Sequence, residues 1–241
     1  MPEEGNGQAA TASTGLVGHD CIGTDPDRCP APKWRGPSVG TIVDPFRGCV
    51  HHYESETERA FLTLLISLPG VLRILEQRSV RYDLAGSSHL HTLDVIVDWV
   101  GGVREAFAVK HSSEALSRGR TPTATVLAAL SVQHGARIAH DFRAVTNDTL
   151  DPVAVLNARL VVRCGRDHDH VGMEMARKAL AGLGPTTTLR DVAIATGLGM
   201  RGFRAAVALI QSGVLANPGG ERLDLDVSLE NRAAGNNAWK Q

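Results

Sequence analysis

Asp94 and Lys110 are the two residues whose types and spacing first suggest chemistry. Asp94 lies in the run Leu93-Asp94-Val95-Ile96-Val97, and sixteen positions later Lys110 closes Ala106-Phe107-Ala108-Val109-Lys110. An acid on one strand and a lysine at the end of its antiparallel neighbour can face one point. A second acid can reach that point from a preceding helix, through Glu58 or Glu54. Two carboxylates are hard oxygen ligands suited to Mg²⁺ or Mn²⁺. A cation held there would polarise a phosphodiester and lower the pKa of a bound water. An ammonium group beside it would stabilise charge developing on the phosphate. The same spacing also arises by chance, and the residues then form a solvated strand edge.

The surrounding pattern supplies the elements needed to position these groups. Phe61, Leu62, Leu65 and Ile66 recur at helical spacing, which predicts a helix from about Ser55 to Ser67, ended by Leu68-Pro69-Gly70. Three strand-like runs come next, Val71–Leu84, His89–Val100 and Arg104–His111, with glycine-containing turns between them as in a meander. Gln77, inside the first run, reads as a polar strand residue. A helix over about Pro122–Ala139 has proline in its first turn. It leads to a strand at Phe142–Thr146, where a crossover would return the chain to the sheet. Helix, three strands, helix, strand is an α/β core with one mixed sheet. Ahead of it, Ser38–Val43 has strand character before the Asp44-Pro45 turn.

Beyond Asp151-Pro152 the pattern becomes helical. Helices are expected at about Val153–Arg163 and Val171–Leu183. A short helix is expected at Leu189–Thr196 behind the N-cap candidates Thr186-Thr187-Thr188, then Met200–Ser212, ended by Gly213. Val214–Leu229 alternates around Pro218-Gly219-Gly220 like a small hairpin. This is the layout of a winged helix. Met200–Ile210 would be its recognition helix, although Ala205, Ala206, Val207 and Leu209 offer little to read bases; docking to a protein partner is an equal reading. Arg159, Arg163, Arg201 and Arg204 either touch phosphates or belong to solvated helix faces. The organisation is a flexible arm over 1–35, an α/β domain over 36–150, a helical domain over 151–230 and a loose tail over 231–241.

Composition sets further bounds. A hydrophobic share of 43% supports a core, and aromatics at 4% leave Leu, Val, Ile and Ala to build it. A net charge of −1 gives no general basic field, so contact with DNA would be local or delivered by a partner. No apolar run is long enough to span a bilayer, and no secretory signal pattern opens the chain. Cys21, Cys29, Cys49 and Cys164 are sparse for the length, which points to free thiols in a reducing cytoplasm. His19, Cys21, Cys29, Cys49, His51 and His52 match no standard zinc-finger spacing, so scattered thiols and surface histidines are the simpler account. Arg166-Asp167-His168-Asp169-His170 reads as a solvated loop.

In order along the chain stand Glu54-Ser55, Glu58-Arg59, Phe61-Leu62, Pro69-Gly70-Val71, Glu76-Gln77, Thr92-Leu93-Asp94 and Val109-Lys110. This series resembles the TnsA family of transposon endonuclease subunits, within the PD-(D/E)xK restriction-endonuclease-like superfamily. Val145-Thr146 with Leu156-Asn157-Ala158-Arg159-Leu160 resembles the family's connecting segment, and Thr187–Leu215 its small C-terminal helical domain, so the resemblance covers about residues 36–230. It implies a restriction-endonuclease-like core with a winged-helix-like C-terminal domain. It implies Glu58, Asp94 and Lys110 as the catalytic set, Glu58 rather than Glu54 because the family's acid directly precedes the arginine. The implied cofactor is Mg²⁺ or Mn²⁺. The implied activity is nicking of DNA at transposon ends during cut-and-paste transposition. A DDE-type transposase subunit (TnsB-like) and an AAA+ regulator (TnsC-like) are the implied partners. Leu93 replaces the family's proline, which mainly shapes the strand entrance. Ala108 replaces a Glu or Gln and removes one side-chain ligand, so the expected metal donors are Glu58, Asp94 and the backbone carbonyl of Val109. That departure keeps a second reading open, a nuclease fold retained as a DNA- or protein-binding scaffold. The winged-helix layout keeps a third, a transcriptional regulator.

Overall fold

A computed structural model describes residues 38–118 and 121–234. The arm expected over 1–35, and residues 235–241 of the expected tail, lie outside the described residues. Gly40–Asp44 (β1) and Cys49–Tyr53 (β2) form an antiparallel hairpin. Glu56–Ser67 (α1) comes next, then Val71–Leu84 (β3), Ser87–Trp99 (β4), Arg104–Lys110 (β5), Thr123–His134 (α2) and Asp141–Thr146 (β6). The chain continues with Pro152–Gly165 (α3), His170–Ala181 (α4), Thr186–Thr188 (β7), Leu189–Thr196 (α5), Met200–Ala208 (α6), Leu215–Ala216 (β8) and Ser228–Asn231 (β9). The chain is α/β, with a mixed four-stranded sheet in the order β3-β4-β5-β6. β3, β4 and β5 are antiparallel neighbours, and β6 returns parallel to β5 after α2.

Local chemistry sets the element ends. Ser55 caps α1, its hydroxyl accepting from the Glu58 N–H, and Leu68 ends that helix before Pro69. α2 stops at His134, short of the expected Ala139, because Gly135 adopts a φ of 41° and a 3₁₀ turn succeeds it. α6 likewise ends at Ala208 rather than Ser212. β2 has no counterpart among the sequence expectations, because Cys49-Val50-His51-His52-Tyr53 turns a histidine rather than a hydrocarbon inward.

One local break shapes the middle of the sheet. Ile74, Val95 and Val97 pack toward α1 with Phe107 and Val109. Val80, Tyr82 and Leu93 pack toward α2 with Ile96, Ala106 and Ala108. Strict two-residue alternation would put Ile74 with Val80, and Val95 with Leu93, on one face. Both strands therefore exchange faces in between. The β3–β4 ladder passes over Gln77 and Asp94 at that point, and Gln77 has a φ of 53° while buried. Gln77 is thus no ordinary strand residue, in contrast to the sequence reading; a non-glycine residue in this region carries strain of about 1–3 kcal/mol, held by its surroundings.

α3 lines two cores. Its Val162 joins the sheet core with Phe61, Leu62, Leu65 and Ile66 of α1, and its Val161 and Cys164 join a C-terminal core with Ala176, Leu180, Leu189, Val192 and Leu209. Asn157 of α3 also exchanges hydrogen bonds with the Glu221 carbonyl and the Leu223 N–H. The C-terminal sheet has the order β7-β9-β8, all antiparallel. Thr186–Thr188 is therefore a strand as well as a cap, Thr188 and Asp191 forming a capping box. Asn231, assigned to a loose tail by sequence, is buried and donates to the Leu180 and Gly184 carbonyls. α6 packs against α3, α4 and α5, and its Ala205, Ala206, Val207 and Ala208 are all buried. The segment expected to read bases exposes only its first turn. No helix among the described residues is long and apolar enough to cross a membrane.

Candidate active site

The structure brings Glu58, Asp94 and Lys110 together where β4 and β5 separate. The ladder between these strands ends at Val95 opposite Phe107. Beyond it β4 stays with β3 as far as Ser87, and β5 stays with β6 as far as Lys110 opposite Thr146. Asp94 lies at the opening. Its Oδ2 accepts from the Val109 N–H at 2.6 Å, replacing the lost ladder bond, and lies 3.7 Å from Lys110 Nζ. An extended residue directs its N–H and C=O to the same side, so the Val109 carbonyl faces the same gap.

Glu58 enters from the first turn of α1. Its Oε2 accepts from the Glu54 N–H at 2.8 Å and its Oε1 from the Ser55 hydroxyl at 3.1 Å. With the Ser55 cap this ties the first turn of α1 to the residue before the cap, so Glu58 has a structural task in addition to its place beside Asp94. The Ser-x-x-Glu spacing carried that signal in the sequence. Glu54, the alternative acid, gives Glu58 its backbone N–H, and its own charge acts on both Glu58 and Asp94.

Electrostatics tie the pair together. Burial raises the Glu58 carboxyl above its ordinary range, and the Asp94 charge pushes the same way, against hydrogen bonds from Glu54 and Ser55. Burial also raises Asp94, more than Lys110 and the Val109 N–H lower it. Enclosed carboxyls held toward their neutral forms by burial and by neighbouring negative charge, Asp94 on Glu58 and Glu54 on Asp94, are the arrangement a divalent cation relieves.

His91, not singled out by sequence, belongs to this neighbourhood. Burial, then the charge of Lys110, lowers its pKa and keeps it neutral. Its Nε2 is enclosed and has no hydrogen-bond partner among the described residues.

Among the described residues, no three of His, Cys, Asp and Glu gather so as to hold a metal ion. Glu58, Asp94 and the Val109 carbonyl are the donors that fit one. Such a set suits Mg²⁺, which binds through one or two carboxylates and keeps several waters. Ala108 is fully buried against the α2 side and offers no ligand. Of the residues considered for zinc, Cys49 is buried with its thiol donating to the Arg47 carbonyl and His51 is buried and engaged with Glu76, in contrast to the expected surface histidine, while His19, Cys21 and Cys29 lie outside the described residues.

The C-terminal arginines divide. Arg201 makes a two-pronged ion pair with Asp169, both contacts at 2.8 Å, and Arg204 a second with Asp167 at 2.5 and 2.7 Å. Asp169 also caps α4. The segment read as a solvated loop therefore neutralises the arginines of α6. Arg159 and Arg163 remain exposed. Comparison with protein-family models and with curated proteins returns no match.

Proposed function

We propose that the chain is a metal-dependent DNA endonuclease subunit that nicks DNA at transposon ends during cut-and-paste transposition. The observation that carries this reading is the meeting of Glu58, Asp94 and Lys110 at the point where β4 and β5 part. It agrees with the ordered resemblance to TnsA-type subunits in the sequence. In this reading the α1–β3–β4–β5–α2–β6 unit is a restriction-endonuclease-like core. The α4–β7–α5–α6–β8–β9 unit, with its β7-β9-β8 sheet, is a winged-helix-like domain.

Each side chain then has a task. Glu58, Asp94 and the Val109 carbonyl would hold Mg²⁺ or Mn²⁺, which supplies Lewis acidity toward the phosphodiester and an ionised water when bound. Lys110 orients the attacking water and offsets charge on the phosphate. A TnsB-like DDE transposase would cut the other strand. A TnsC-like AAA+ regulator would dock on the C-terminal domain, whose α6 is poorly placed to read DNA.

Supercoiled plasmid bearing transposon ends, incubated with Mn²⁺ and the partner transposase, tests the reading. Nicking by the wild type that disappears in Asp94→Ala supports it. Equal nicking by both proteins removes Asp94 from the reaction. A second reading, a nuclease fold that binds and no longer cuts, is favoured by Ala108 and the two-carboxylate donor set. It predicts DNA binding without nicking under all metal conditions.

A further inference from the structure

A second group of ionisable residues lies behind the candidate site and is wholly buried. Asp44 of β1, His51 of β2 and Glu76 of β3 are at most 1% exposed. His51 Nδ1 lies 3.0 Å from Glu76 Oε2, and His51 Nε2 lies 3.9 Å from Asp44 Oδ2. Glu76 Oε1 accepts from the His52 N–H. Asp44 accepts from the Phe46 and Arg47 N–H groups and pairs with the Arg47 guanidinium at 2.6 Å. Arg47 also donates to the carbonyls of Ile66, at the end of α1, and Val71, at the start of β3.

Among the described residues, the charges gathered around His51 are Asp44 and Glu76, with Arg47 paired to Asp44. Two carboxylates and one guanidinium leave a buried charge of −1 unless His51 is protonated, and burying an unbalanced charge is costly. Desolvation works against the imidazolium, but hydrogen bonds and charge from Asp44 and Glu76 prevail and raise His51 above 6.5.

The position of this cluster links the two candidate ligands. Three residues after His51, β2 gives way to Glu54, whose N–H holds the Glu58 carboxylate. Next to Glu76 stands Gln77, with its positive φ, and Glu76 pairs in register with Val95, the neighbour of Asp94. The contact between His51 and Glu76 therefore joins the segment that fixes Glu58 to the strand pair that carries Asp94. We propose that His51 is a positioning residue: by bridging Asp44 and Glu76 it fixes β2 against β3 and so sets the separation of the Glu58 and Asp94 carboxylates. The inference rests on those carboxylates forming the cation site, and its test separates the two ideas.

The full chain is compared with His51→Gln, and with the double variant His51→Gln/Glu76→Gln, in which Asp44 and Arg47 still balance. Mn²⁺ alone is titrated calorimetrically over a pH series in which NMR follows the His51 ring from protonated to neutral, and the Glu58 and Asp94 carboxyls are tracked by NMR without metal. Wild-type affinity should rise as the carboxylates ionise and then decline as the His51 ring, seen by NMR, loses its proton. A folded variant should bind Mn²⁺ about tenfold more weakly, the lower end for loss of an outer-shell partner. It should lack the alkaline decline, and its Glu58 titration should move toward the ordinary range. A folded variant with wild-type affinity and an unmoved Glu58 titration overturns the inference. If neither variant folds, the wild type decides: an affinity that stays level while His51 titrates overturns the inference, and a decline in step supports it. If the wild type binds no Mn²⁺ but Glu58 responds to His51→Gln, the cation site fails and the positioning role stands.

Discussion

Replacing Arg47 with methionine should destabilise the chain strongly although Arg47 stands outside the candidate active site. Its guanidinium lies 2.6 Å from a fully buried Asp44 and donates to the Val71 carbonyl at 2.6 and 3.0 Å. Methionine keeps much of the stem volume but removes the guanidinium, leaving the carboxylate only the more distant His51 ring at 3.9 Å. Stranding one partner of a buried pair costs about 3–5 kcal/mol, a large part of the roughly 5–15 kcal/mol that holds a domain together. At about 2–4 °C per kcal/mol for a chain of this size, the thermal midpoint should fall by roughly 6–20 °C. Arg59→Ala is the matched control, since Arg59 and Glu56 form a pair with 37% and 56% of their side chains exposed; its loss should stay below about 1 kcal/mol. Urea and thermal unfolding monitored by circular dichroism measure both. The pH profile adds a sign. Burial works to raise Asp44, but His51 and Arg47 hold it below its ordinary 3.8. Its contribution is therefore present above 3.8 and lost as pH falls through the lowered value. Arg47→Met should flatten that acid limb. Equal losses for Arg47→Met and Arg59→Ala would refute the reasoning.

Glu58→Gln retains a side chain that can complete the cap, so it should fold like the wild type while plasmid nicking falls by at least about 10²-fold, the scale for losing one electrostatic group at a reacting phosphate. His51 is raised above 6.5 in the folded chain, so its stabilisation is complete below that value and fades as pH climbs through the raised one; thermal midpoints measured on the alkaline side should decline in the wild type and stay flat in the double variant His51→Gln/Glu76→Gln. Cys49 and Cys164 are buried, and burial pushes the Cys164 thiol up to about 11, so neither should react with a thiol reagent until the chain unfolds. Arg201→Ala and Arg204→Ala should leave the salt dependence of DNA binding unchanged in fluorescence anisotropy, because each arginine is held by an aspartate.

The main elements of both the sheet and the C-terminal helical parts are legible in the sequence because the relevant signals are local. Val71–Leu84 and Leu189–Thr196 have the expected ends, and Gly, Pro and capping residues mark most of the others. The positions of Glu58, Asp94 and Lys110 are legible from their spacing on such elements and from the ordered resemblance. The supports around them are not. Gln77 adopts a left-handed conformation because of its surroundings, and nothing in the residue itself announces it. His51 reads as a surface histidine because its partners, Asp44 and Glu76, are brought to it by a hairpin and by a strand more than twenty residues away. Met200–Ile210 reads as a recognition or partner-docking helix because its covers, α3, α4 and α5, come from segments whose own patterns carry no mark of those contacts.

Because α3 contributes to both hydrophobic cores, the chain has no natural seam at Asp151. A fragment beginning there would carry Val162 into water, and a fragment ending there would leave the outer side of α1 bare. Proteolysis in that connection should produce two sticky halves rather than two working modules. Any force applied to the C-terminal part would pass along a stiff rod to the helix that presents Glu58, with no slack link to absorb it.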